Sequence, residues 1–169
     1  MYNLNNYIEE TLVLNQPSLR KREYELIAND EVLATLVFPK LLSNRAIAEI
    51  SDGKLEFKQP SIWKGEYGIY KAGYQMPFAK YVSNIWKTKG TIELPKGARL
   101  NCKSGKLKRP FEIYSSLGEL LVIFENKLSL RGKTVVTIQK DFELLDRYPW
   151  IIMLACYIII IYRRARAAR

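Results

Sequence analysis

The chain has 169 residues, enough for one domain with its own core, and a content of 48% hydrophobic and 26% charged residues excludes wholesale disorder. Lysine and arginine outnumber aspartate and glutamate by 27 to 17, and the formal net charge of +10 favours anionic partners: phosphate groups, anionic lipid or nucleic acid. Histidine is absent, which removes the commonest general base, the commonest metal ligand and the usual Ser/His and Cys/His arrangements.

The first ten residues, MYNLNNYIEE, have neither a basic nor an apolar signal region, so no secretory signal is expected. From about residue 9 to residue 140 short runs rich in Val, Ile, Leu, Tyr and Phe follow one another. In order they are ETLVL, REYELIA, EVLATLVF, RAIAEIS, KLEFK, YGIYKA, PFAKYVS, GTIELP, ARLNCK, PFEIYSS, ELLVIFE and KTVVTIQ. Turn signals punctuate them: Asn29-Asp30, Asp52-Gly53, Lys96-Gly97, Ser104-Gly105, Leu117-Gly118 and Arg131-Gly132. About twelve short strands joined by hairpins predict a mainly β fold. The runs alternate where they can be read closely. Tyr24, Leu26 and Ala28 share one face, and Leu100 and Cys102 oppose Arg99, Asn101 and Lys103. The charged stretch SLRKRE, residues 18–23, reads as a solvated connection.

Between Lys71 and Arg109 the basic residues cluster and Glu93 is the sole acid. A hairpin turning at Pro95 to Gly97 pairs Ile92 with Leu100, Glu93 with Arg99, Thr91 with Asn101 and Lys89 with Lys103. The last pair sets like charges opposite each other, and Lys103→Glu is expected to relieve it. An anion seated there is the functional reading, with Lys87, Lys89, Lys103, Lys106, Lys108 and Arg109 as the anion-binding residues and Ser104-Gly105 adding backbone N–H donors. Two lysines splayed into water are the structural alternative. Tyr70, Tyr74, Phe78, Tyr81 and Trp86 are interleaved with this segment and offer a stacking surface for single-stranded nucleic acid, or else rim and core packing.

Cys102 and Cys156 form no CxxC motif, so no disulfide framework is expected and a reducing compartment fits. With no Gly-rich phosphate loop and no paired carboxylates, the chain reads as non-enzymatic, with no cofactor, no catalytic residues and no metal site.

Near Phe142 the period changes. Asp146 suits a helix cap and Pro149 a first turn, predicting a helix over about 146–163 followed by a basic tail, 163–169. The uncharged run from Pro149 to Tyr162 spans ~21 Å as a helix, against about 30 Å for a bilayer core. Lengthening it buries Arg147 or Arg163 at roughly 2.5–3.5 kcal/mol for each central charge. A barrel wall of tilted strands about seven residues long stands ~18 Å tall, close to the helix length, and about twelve strands enclose more space than their own side chains fill. The expected fold is therefore a closed barrel with the hydrophobic helix through its centre, one domain over residues 1–169.

The closing stretch DFELLDRYPWIIMLACYIIIIYRR, after about twelve short strands, resembles the tubby C-terminal-like superfamily: the tubby domain, the phospholipid scramblases and the LURP-one-related proteins. The resemblance runs from about Glu9 to Tyr162 and implies the same barrel around a C-terminal helix. It also implies a non-enzymatic protein and, by likeness to tubby domains, phosphoinositide headgroup binding on a basic surface. The cysteine cluster and acidic calcium segment of scramblases are absent here. The expected function is binding of a phospholipid headgroup or phosphorylated small molecule by a cytoplasmic protein, peripheral at a membrane. A tail-anchored single-pass membrane protein and a nucleic-acid-binding module are the alternatives.

Overall fold

The computed structural model describes residues 4–105, 109–127 and 132–168. Each apolar run becomes one strand. The first six are β1 (Thr11–Asn15), β2 (Glu23–Ala28), β3 (Glu31–Val37), β4 (Ala46–Ile50), β5 (Gly53–Ser61) and β6 (Glu66–Lys71). The remaining six are β7 (Ala79–Ser83), β8 (Lys89–Glu93), β9 (Arg99–Ser104), β10 (Phe111–Tyr114), β11 (Leu120–Asn126) and β12 (Thr134–Ile138). Every strand pairs antiparallel with the next, and β12 closes on β1 through Leu12↔Val136 and Leu14↔Thr134. Closure leaves no unpaired edge.

Alternation places the side chains as the sequence predicts. Tyr24, Leu26 and Ala28 point inward from β2, and Leu100 and Cys102 from β9. Asn29 and Asp30 take φ of 49° and 62°, the left-handed pair that a tight two-residue hairpin needs.

The bore is filled by α2 (Trp150–Ala167), with every residue from Trp150 to Tyr162 buried. The wall is graded around it. The helix backbone approaches β3 and β4, where the inward side chains include Ala34, Ala46 and Ala48. Further round the wall Tyr67, Tyr81, Phe111 and Phe124 fill the wider gap. Tyr157 is the hub: its ring stacks on Phe38 at 5.9 Å, packs against Phe57 at 5.3 Å, and its hydroxyl donates to the Asn44 carbonyl at 2.6 Å. Gly90 faces inward because the Tyr81 ring lies over it; a Cβ there would sit 2.4 Å from that ring. Among the described residues, no helix is long and apolar enough to cross a membrane.

The helix boundaries differ from expectation at both ends. Asp146 does not cap the axial helix; it lies in a separate short helix, α1 (Glu143–Arg147). Pro149 disfavours helical geometry at the residue before it, and Tyr148 breaks the chain there with φ −130° and ψ 67°. The axial helix begins at Trp150, after Pro149, with no side-chain cap. At the other end it continues through Arg164 and Arg166, so the basic tail is helical as far as Ala167. Cations in a last turn complement the helix dipole. Arg163 secures that turn by donating to the Gly132 carbonyl at 2.7 Å, to Thr134 Oγ1 at 2.5 Å and to Asn126 Oδ1.

Antiparallel pairing sends alternate connections to opposite rims. The amino rim, where α2 begins, carries the turns 29–30, 51–52, 72–78, 94–98 and 115–119 and the segment 139–149. The carboxy rim, where α2 ends, carries the connections 16–22, 38–45, 62–65 and 84–88, together with Gly105, Arg109 and Pro110 between β9 and β10 and Lys127, Gly132 and Lys133 between β11 and β12. Phe78 meets Trp150 edge-on at 5.5 Å on the amino rim, while Arg166 donates to the Gly105 carbonyl at 3.4 Å on the carboxy rim.

Candidate anion-binding site

The β8–β9 hairpin has the predicted register: Glu93↔Arg99, Ile92↔Leu100, Thr91↔Asn101 and Lys89↔Lys103. Lys96 and Gly97, with φ of 63° and 80°, make the turn, and Leu94 donates to the Ala98 carbonyl across it. Lys89 and Lys103 stand exposed on the outer wall.

A third strand moderates the like-charge pair. Glu112 on β10 lies directly opposite Lys103, so the row across the sheet reads Lys89, Lys103, Glu112. The Lys103 ammonium sits 4.4 Å from the ring centre of Tyr114, whose hydroxyl donates to Glu112 Oε2 at 2.7 Å. That hydrogen bond, more than burial, holds the Tyr114 phenol above its ordinary pKa. Lys103 is thus placed by an aromatic face and a carboxylate, and Lys103→Glu would set two carboxylates face to face. The relief expected at Lys89 is therefore set against a repulsion at Glu112 that the β8–β9 pair alone did not reveal.

Beside this row lies an open groove of about 640 Å³, lined in part by Lys89, Lys103, Ser104, Gly105, Arg109 and Glu112. Three cations against one carboxylate leave it positive. Its charge suits an anionic group held by ammonium and guanidinium donors. Gly105 allows the chain to fold back on Arg109, since a Cβ there would fall 1.7 Å from the Arg109 Cβ.

The structure gathers Lys89, Lys103 and Arg109 along this groove. Lys87 does not join them: it sits in the turn between β7 and β8 with φ 54°, and its ammonium lies over the Tyr162 ring at 5.5 Å, at the barrel mouth. Lys106 and Lys108 lie outside the described residues. The backbone nest at Ser104-Gly105 is also corrected. The Ser104 N–H donates to the Thr88 carbonyl at 2.8 Å and the Gly105 N–H to the Pro110 carbonyl at 3.3 Å, so both donors are used in the fold.

The wider basic segment does not form one patch. Lys80 stands 3.7 Å from both Glu66 and Glu93, and Arg99 stands 3.9 Å from Glu93. Nor do the interleaved aromatics share a face. Tyr70 and Tyr81 are buried and Phe78 packs on Trp150, while Tyr74 and Trp86 are exposed on opposite rims. Among the described residues no cluster of acidic or cysteine side chains is arranged to hold a metal ion. Sequence reasoning missed Glu112 and Tyr114, because β9 and β10 are joined by a longer connection, and the Ser104-Gly105 turn signal alone does not fix their register.

No protein-family model matches the chain, and no curated protein matches it. Its fold is similar to the X-ray structure of a protein from Arabidopsis thaliana, with a TM-score of 0.61 and 12% identity over 90% of this chain and 91% of that one. At that identity the likeness establishes the closed barrel with its C-terminal helix and nothing of the function.

Proposed function

We propose that this barrel is a non-enzymatic binding domain for an anionic, phosphate-bearing group, seated in the groove between β8, β9 and β10. The observation that carries the reading is the placement of Lys89, Lys103 and Arg109 around one open groove, with the two lysines cross-strand neighbours. Like charges directly opposite cost stability, and such a cost is expected where a site requires it. The ligand is a phospholipid headgroup or a phosphorylated small molecule; the resemblance to tubby domains favours the headgroup, at the cytoplasmic face of a membrane.

Titration with inorganic pyrophosphate, and in parallel with phosphatidylserine-containing vesicles, separates the two sources. Binding to either is expected to weaken steeply with salt. The double variant Lys89→Gln/Lys103→Gln should lose pyrophosphate binding by at least roughly tenfold, the size of one lost charge-assisted contact. Its melting temperature should stay close to that of the parent. Pyrophosphate binding that the double variant retains in full would sink the groove as the site.

A further inference from the structure

Three neighbouring connections on the carboxy rim hold large apolar side chains out in solvent. They are Leu41 and Leu42 in the segment 38–45, Ile62 and Trp63 in 62–65, and Ile85 and Trp86 in 84–88, each between 70% and 98% exposed. Single exposed apolar residues are ordinary on a protein surface, but a repeated pair on adjacent loops of one rim marks an interaction face. The same connections are basic. QPSLRKR, FPKLLSNR, IWKG and NIWKT, the connections 16–22, 38–45, 62–65 and 84–88, contain no aspartate or glutamate. The helix adds Arg163, Arg164 and Arg166 at the same end. The opposite rim is acidic: Asp30, Asp52, Glu119, Asp141 and Glu143 lie in its turns.

Between the loops and the end of the helix is a recess of about 580 Å³, lined in part by Arg22, Leu42, Tyr67, Lys87 and Arg164. The Tyr67 hydroxyl is buried and has no hydrogen-bond partner among the described residues. A buried hydroxyl without a partner is costly, and a polar ligand group would satisfy it.

We infer that the carboxy rim is a docking face for an anionic lipid bilayer, with Trp63, Trp86 and their aliphatic neighbours entering the interfacial layer and the basic residues among them meeting the headgroups. Tryptophan prefers that depth, and lysines and arginines gain from the surface potential of anionic lipid. Nucleic acid fits less well, because Leu41, Leu42, Ile62 and Ile85 offer no ring on which a base stacks. A protein partner also fits less well, because the cores of protein interfaces are depleted in lysine, which here sits next to the apolar tips. The inference goes beyond the groove: it rests on the loops of the rim and holds whichever anion the groove takes.

The chain carries its own reporters. Of its three tryptophans, Trp150 is buried at the amino rim, whereas Trp63 and Trp86 are the exposed tips. Phosphatidylcholine vesicles with and without phosphatidylserine, in versions carrying brominated acyl chains, serve as probes. The expected result is a blue shift and bromine quenching with the phosphatidylserine vesicles, and neither with phosphatidylcholine alone. Trp63→Ala/Trp86→Ala should lower vesicle partitioning by roughly tenfold per tryptophan. It should melt like the parent and still bind pyrophosphate. That last readout separates a failure of the rim from a failure of the groove. Vesicle binding with unchanged tryptophan emission would overturn the inference, as would equal binding to neutral and anionic vesicles. It would also be overturned if single-stranded RNA shifted the emission and vesicles did not.

Discussion

The two rims of the barrel are built from the same kind of hairpin and finished in opposite ways. The centre of the amino rim is closed by packing, although Tyr74, Met76 and Leu117 are exposed in its turns. Leu4, Leu145 and Trp150 are buried there, Phe78 and Tyr148 pack against Trp150, and two of its acids are answered by the ion pairs Lys140–Glu119 and Arg147–Glu143. The carboxy rim leaves Trp63, Trp86 and Leu42 in solvent, and although Arg45 pairs with Glu56, Arg22 and Arg163 turn to carbonyls and side-chain oxygens and Arg164 lies over the Phe38 ring at 3.8 Å. The helix imposes part of this difference. Its N-terminus enters beneath a polar turn halted by Pro149, and its C-terminus favours cations. The exposed apolar tips have no such structural reason, which is why they point to function.

The sharpest way to break the comparison is to remove the element that joins the rims. Ile158→Asp sets an unpaired carboxylate in the bore and is expected to cost several kcal/mol, abolishing the cooperative thermal melt. A soluble truncation lacking the axial helix that still melts cooperatively would contradict the account. Cys156 probes the same interior chemically. Burial pushes its thiol up to about 12, so native protein should resist a thiol reagent at neutral pH and label at the rate of unfolding.

One arginine from each rim tests the contrast directly. Arg163→Met removes a partly buried guanidinium with three acceptors and should cost about 1.5–3 kcal/mol in a denaturant melt. Arg147→Met loses an exposed ion pair within α1 and should cost no more than about 0.5 kcal/mol. Equal costs would erase the difference between the rims.

Acid should act at the β4–β5 pair. Burial raises the Glu56 carboxyl, but the hydrogen bond from Arg45 and the nearby Lys58 outweigh it and hold the group below the usual range. Its contribution is therefore present above the unfolded glutamate value of about 4.3 and is lost as pH falls through the lower folded value. Melting temperature should drop on acidification below about pH 4, and Glu56→Gln should flatten that limb. A small effect is expected at the groove: Lys103→Glu gains attraction to Lys89 but faces Glu112 and loses the Tyr114 ring, and should destabilise by a few tenths of a kcal/mol in the same melt.

The strands were legible because each apolar run is short, alternates and ends in a turn residue, and Asn29-Asp30 and Lys96-Gly97 act locally. The register of β8 on β9 followed from that locality. The bore was legible from a length mismatch: the run ending at Tyr162 is too short for a bilayer and right for a barrel. What was not legible is what closure brings together. Lys103 meets Glu112 only because β9 and β10 pair across a longer connection. The charge asymmetry read along Lys71 to Arg109 dissolves once Lys80 and Arg99 meet Glu93, and a different asymmetry, between rims, emerges from loops far apart in sequence. Lys87 was misplaced for the same reason: its neighbour Tyr162 lies across the barrel mouth.

Hydrogen–deuterium exchange with and without phosphatidylserine-containing vesicles compares the rims in one experiment. The account predicts slowed exchange in the connections 38–45, 62–65 and 84–88, and no change in the turns 29–30, 51–52 and 72–78. Protection on the amino rim, or equal protection on both, would contradict it.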